Sequence, residues 1–504
     1  MINGIEVMKL NRHFKKPVIV FALVSLLFSA GVIGQDKVDA VRMSELRRLR
    51  DELILNDGFA GSDLTITISE NTLIEGLKRL EGLEVVLSNG NILRLTSVDG
   101  ELKPGAGIIK IGLQAESKVK VNLVLTGRIA TGENRGGAFR LPLKITDVSL
   151  KNGPFSTVFL RTFFGDWLSP RKWNEFISEV ELPSEIDQSL QIPGGRFDVQ
   201  GSMPMVINTP RYRAPLRFAI KSIISLEGRA VAALQVIDDN ESRDAGNGSI
   251  KVSDPASNDL NSDSLESEIT RLTAGLACQN GLCLRVNRRV IGRFLEQIAA
   301  AQSDDLNISL KPGRVRAEQV NAVVKFTNYT DVEGGDGHAD IQALNVDRIE
   351  AGRVNVRLTA AGEVDARLRG REYGIPYKLS PKTTFSIMES DLPFQFISEG
   401  ERIILRALPG TTLPFNLRFN FKVAGRTVGF NRNLVVQADQ WFRRIELPSF
   451  IGREMDLPRR IEIDAGGNYF VTKKQKLNYT LSRLILAANN DSIDIMANLA
   501  FDMK

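Results

Sequence analysis

The sequence predicts an α+β fold, mostly β, built from two tandem copies of one unit, and three observations predict it. The segment Leu64-Thr65-Ile66-Thr67-Ile68-Ser69 returns as Leu282-Cys283-Leu284-Arg285-Val286-Asn287, 218 residues later. Each copy is followed by apolar residues at helical spacing, Leu73, Leu77 and Leu80 in the first half and Ile291 and Leu295 in the second. Beyond each helix, long stretches alternate apolar and polar residues, the period of a strand with one buried face. Self-similarity of this kind means repeated structural units.

Residues 1–34 have the form of an export signal. Lys9 to Lys16 make a basic start, and Val18 to Ile33 an apolar run broken only by Ser25, Ser29 and Gly31. Val32-Ile33-Gly34 then offers a compact cleavage site before Gln35. The run is shorter than the roughly 20 residues a spanning helix needs; uncleaved, it would be an N-terminal anchor. Residues 35–59 are expected to form a helix, because Val38, Val41, Leu46, Leu49 and Leu53 recur at helical spacing between charges.

The first repeat spans 60–237. Its opening strand ends at Ser69, a good helix N-cap, and Asn287 takes that place in the second repeat, 268–504. Ile109, Ile111, Leu113 and Ala115 alternate, as do Val119, Val121, Leu123 and Leu125. Val354, Val356, Leu358 and Ala360, then Val364, Ala366 and Leu368, do the same in the second half. Such segments fit an antiparallel sheet covered on one side. Glu181-Leu182-Pro183-Ser184 matches Glu446-Leu447-Pro448-Ser449 at an offset of 265, so the second repeat carries extra material, placed near 373–429. Residues 238–267, crowded with Asp, Asn, Ser and Gly, read as a flexible polar linker.

Chemistry is sparsely marked. The two cysteines, Cys278 and Cys283, bracket Asn280-Gly281, the preferred dipeptide of a two-residue hairpin turn. They would then face each other across the hairpin and form a disulfide. No histidine or second cysteine pair completes a metal site. His13 lies in the signal, which leaves His338, in the glycine-rich segment 333–340, read as a surface turn. There is no nucleophile-elbow serine and no phosphate-binding glycine loop. No catalytic residue, metal or cofactor is therefore assigned, and the chain is not expected to be an enzyme. Outside the signal, 61 basic residues face 59 acidic ones, which excludes an electrostatic footprint for nucleic acid. Phe155, Phe159, Phe163 and Trp167 fall four residues apart. They read as a core helix or, for Phe159, Phe163 and Trp167, as an edge facing a membrane surface. Six Asn-X-Ser/Thr sites, Asn240 and Asn328 among them, are acceptors should the chain follow a eukaryotic secretory route.

The repeated order of strand, capped amphipathic helix, alternating strands, Leu-Pro motif and further strands resembles the tubular lipid-binding superfamily, typified by bactericidal/permeability-increasing protein. The resemblance covers both halves. It implies a long, curved antiparallel sheet wrapped on a helix in each repeat, and an apolar groove for a lipid or other amphiphile. Leu64, Ile66, Ile68, Leu73 and Leu77, with Leu282, Leu284, Val286, Ile291 and Leu295, would line that groove or fill a core. Three readings follow. The first is an exported protein of the cell envelope or periplasm that binds or transfers lipid. The second is a non-catalytic scaffold of the same compartment. The third is a hydrolase whose carboxylates have no recognisable spacing. The ligand, the partner proteins and the oligomeric state are left open.

Overall fold

The computed structural model describes residues 35–503 except 87–91, 151–168, 200–204, 238–260, 321–325, 447–453, 463–468 and gaps of four residues or fewer. The export-signal segment, Phe159, Phe163, Trp167, most of the polar linker and the second Leu-Pro-Ser motif lie outside the described residues.

Strand Leu64–Ser69 lies in the middle of a sheet, and one of its partners is its counterpart from the second half. The two run antiparallel, with Leu64 opposite Val286, Ile66 opposite Leu284 and Ile68 opposite Leu282. On its other edge each meets the strand that closes its own half, Arg229–Val236 for the first and Ser492–Met503 for the second. Hairpins extend the sheet to Tyr212–Leu226 on one side and Lys476–Asn489 on the other, with Glu185–Ile192 and Glu454–Asp456 at the edges. The order of element types is the same read from either end.

Both faces of this central sheet are covered. Leu64, Ile66 and Ile68 point into the main core, while Thr65 and Thr67, which alternate with them, are buried as well. Two helices account for this. Helix α1 (Gln35–Leu55) sets Leu46, Leu49 and Leu53 against Ile224, Leu226, Val231 and Ala233 of the sheet, together with Phe59 and Leu276. A second helix, Ser262–Leu272, packs beside it through Leu265 and Ile269, and the pair is bridged by Arg42–Glu266 and Arg50–Glu268, each at 2.7 Å. This second helix starts inside the stretch read as linker. Asn261 caps it by accepting the Ser264 N–H at 2.9 Å. It buries so few apolar residues that composition hides it.

Two further sheets rise from the central one. In the first lobe Ile92–Lys103, Ala106–Glu116, Lys120–Ala130 and Ala138–Leu150 are consecutive antiparallel neighbours. Their inner face packs on helix Glu70–Lys78, capped by the Ser69 hydroxyl as expected. In the second lobe Phe326–Glu350, Arg353–Glu372 and Lys382–Glu399 are neighbours, and helix Arg288–Gln302 packs on them. The hairpin Thr412–Val423 and Arg426–Gln437, which overlaps the stretch 373–429, pairs to Lys382–Glu399.

Each lobe also holds a hairpin of the other half. Gly195–Val199 and Met205–Thr209 extend the second lobe beside Leu306–Leu310. Arg460–Glu462 and Tyr469–Val471 extend the first beside Glu84–Val86. This reciprocal exchange ties the halves by backbone hydrogen bonds, so their placement does not depend on the polar stretch between them.

Three local expectations are corrected. Residues 333–340 are not a turn but the middle of strand Phe326–Glu350. A Cβ at Gly335 or Gly337 would run into the backbone of Asp365–Ala366 or Glu363–Val364, so glycine here permits close strand approach. Leu282–Asn287 pairs with Leu64–Ser69 on one edge and Ser492–Met503 on the other, not back on the segment before Gly281 as a hairpin at Asn280-Gly281 requires, and Asn280 itself lies outside the described residues. Gly281 (φ 63) still turns the chain, and its carbonyl accepts the Ser69 N–H at 2.9 Å. Asn328 is buried, with its side chain bonded to Glu372 and to the Tyr373 N–H, so the folded chain does not offer it for glycosylation.

Candidate functional site

The ten residues singled out from the repeats come together. Leu64, Ile66, Ile68, Leu282, Leu284 and Val286 sit side by side in the central sheet. Leu73 and Leu77, and Ile291 and Leu295, project from the helix that follows each strand. All ten are at most 8% exposed, and all belong to one apolar cluster that runs through both lobes. In the first lobe that cluster continues along Ile109, Ile111 and Leu113 and along Leu123 and Leu125. In the second it continues along Val354, Val356 and Leu358 to Val364, Ala366 and Leu368.

The apolar faces are much longer than the helices they wrap. Helix Glu70–Lys78 has 9 residues and spans about 13 Å. The first lobe's strands of 11 to 13 residues span roughly 35–45 Å. In the second lobe a helix of 15 residues, about 22 Å long, faces strands of 20 and 25 residues that reach roughly 65–85 Å. The apolar residues of the strands beyond the helices belong to the same buried cluster.

The far end of the second lobe is aromatic. Phe385 and Phe415 stack at 4.9 Å between centroids, Phe419 stacks on Phe430 at 4.7 Å, and Tyr377 meets Phe421 at 5.6 Å. These rings fall in and beside the stretch 373–429, whose sequence is rich in Phe. Its alternation Leu413, Phe415, Leu417, Phe419, Phe421, Val423 is a legible strand signal that would have found these rings.

A polar network closes this end. Glu372, though buried, accepts from Arg316 at 3.0 Å and from Asn328 at 3.2 Å. The Tyr377 hydroxyl bonds Thr330 at 2.6 Å. Burial pushes the Tyr377 phenol above its usual range, opposed by the Thr330 bond.

At the other end of the second lobe, where helix Arg288–Gln302 begins, lies an open cleft of about 690 Å³. Arg288, Arg289, Arg293, Glu296 and Asp491 line it, and Arg288 donates to the Val346 carbonyl at 2.7 Å. It is a polar recess of mixed charge, not an apolar groove.

Cys278 and Cys283 form a disulfide beside the seam. Among the described residues no three Asp, Glu, His or Cys side chains gather in a way that would hold a metal ion. No described helix is long and apolar enough to cross a membrane.

No protein-family model and no curated protein matches the sequence. Among solved structures, the crystal structure of lipopolysaccharide binding protein aligns over 87% of this chain and 99% of its own, at 9% identity and a TM-score of 0.25. A likeness that loose carries no argument about fold or ligand.

Proposed function

We propose that the chain is an exported envelope protein made of two tandem units, which binds or transfers a lipid or similar amphiphile between apolar sheet faces. One observation carries the reading. In each lobe the inner apolar face outruns its helix about threefold. An acyl chain between the faces would gain about 0.8 kcal/mol for each methylene withdrawn from water, the scale on which a binder competes with a bilayer. The palindromic order of the central sheet supports the two-unit reading. The disulfide supports export, since such bonds persist in oxidising compartments. The reading assigns the protein no reaction.

A second reading, a non-catalytic scaffold, is favoured by the sealing of those same faces, where Val354, Val356 and Leu358 are 0% exposed. One experiment separates the two. The chain beginning at Gln35 is purified without detergent, and extracted material is analysed by mass spectrometry. Stoichiometric amphiphile is the expected outcome. Well-folded protein that carries none, and takes up none from vesicles, would sink the lipid reading.

A further inference from the structure

Two hairpin turns meet at the aromatic end of the second lobe. One joins Arg353–Glu372 to Ile375–Leu379 through Tyr373-Gly374, and the other joins Thr412–Val423 to Arg426–Gln437 through Ala424-Gly425. The φ angles are 46 and 80 in the first turn and 47 and 79 in the second, the all-positive pattern of a type I′ turn. The guanidinium of Arg426 lies over the Tyr373 ring at 5.0 Å and sets the two tips side by side.

The residues at these tips are poor choices for the fold. The first position of a type I′ turn favours Asn, Asp or Gly, and a bulky side chain there is strained. Of the four non-glycine residues with positive φ among the described residues, Tyr373 and Ala424 are two. Tyr373 is 51% exposed and Ile375 48%, so neither is repaid by burial. Backbone strain held at an exposed apex points to function.

The surroundings name the partner. Arg371, Lys378, Lys422 and Arg426 are all exposed on the two hairpins. The acids nearby are already engaged, Glu318 and Glu372 with Arg316, and Glu333 with Lys378. An amphipathic ring and an isoleucine at the apex, ringed by cations, match the boundary between anionic headgroups and acyl chains. We propose that this double tip docks the protein on an anionic phospholipid surface, with Tyr373 and Ile375 entering the interface and Arg371, Lys422 and Arg426 resting on the headgroups. The inference does not require a lipid between the sheets.

The test is flotation of the chain beginning at Gln35 with vesicles of phosphatidylcholine alone, or of phosphatidylcholine and phosphatidylglycerol in equal parts. Wild type is expected to float with the mixed vesicles, less so as salt rises. The double variant Tyr373→Asn/Ile375→Ser should bind at least about tenfold more weakly, and Lys422→Glu/Arg426→Glu should lose the preference for anionic lipid. Asn suits the turn better than Tyr, so the first variant keeps its thermal midpoint and its binding loss is not a folding defect. Wild type that ignores anionic vesicles, or a Tyr373→Asn/Ile375→Ser protein that binds as wild type, would overturn the proposal and turn the tip toward a protein partner. Lipid recovered by extraction from a chain that binds no vesicle would overturn the tip alone. Vesicle binding by a lipid-free chain would count against the groove alone.

Discussion

The first and second lobes begin from the same plan and end at different lengths. Both start with a short strand in the central sheet, a capped helix and antiparallel strands that wrap it. Among the described residues the first lobe has strands of 11 to 13 residues with a mostly aliphatic inner face. The second doubles that length and turns aromatic at its end. Glycine makes the extension feasible. Gly362 lies directly opposite Phe385, and Gly370 opposite Tyr377, so a ring covers each bare stretch of backbone. Rings laid over strand glycines restore the packing those residues lack, and bulges at three points let the longest strand coil. The comparison teaches that length in this fold is limited by how the sheet bends, and that ring-on-glycine contacts relax the limit.

The largest effect should come from the seam the lobes share. Leu64→Ala and Leu358→Ala each remove a fully buried leucine and should each cost about 3 kcal/mol in denaturant unfolding. Hydrogen exchange should tell them apart. The seam variant should loosen strands in both lobes, and Leu358→Ala only those of the second. Equal protection patterns in the two variants would mean that the lobes unfold as one unit and that the seam has no special standing.

A smaller effect should mark the second lobe's glycines. Gly362→Ala places a methyl against the His338 carbonyl and the Phe385 ring, and should cost about 2 kcal/mol. In the first lobe Gly107→Ala meets the end of Leu102 at 3.2 Å and Ile129 at ordinary contact distance, and should change stability by less than about 0.5 kcal/mol. Matching costs at the two sites would mean that close approach to the glycine, which Gly132 also shows under Phe139 in the first lobe, does not set the cost.

The smallest effect is a pH slope. Burial keeps the Tyr377 phenol neutral in the fold beyond its ordinary value of 10.0, whereas the unfolded chain ionises first. The folded state then binds more protons, so stability falls as pH rises from 10.0 through the folded value. Tyr377→Phe should flatten that slope while costing about 1 kcal/mol at neutral pH, through the Thr330 hydroxyl it strands. An unchanged alkaline slope, followed by urea titration at stepped pH, would locate the responsible group elsewhere.

Much of this molecule was readable along the chain. The leading strands, their caps at Ser69 and Asn287, the helix from Gln35 and the alternating strands all rest on local rules: a two-residue period, a helical period and a side chain that reaches its own backbone. The Cys278–Cys283 disulfide is present too, although the hairpin from which it was inferred is not how Leu282–Asn287 pairs. The ten apolar residues read as groove lining or core are all buried, and their spacing along strand and helix follows the same rules. Where two elements far apart in sequence had to choose each other, the chain was silent. The pairing of Leu64–Ser69 with Leu282–Asn287, the exchanged hairpins and the burial of Thr65 and Thr67 depend on which edge or face is left uncovered once everything else has packed. The same holds for glycine. At residues 333–340 its local preference says turn, but only a neighbouring strand held too close for a Cβ makes it strand. Periodicity is a property of one segment and survives in sequence, whereas edge pairing and close approach are properties of two segments and exist only in the fold.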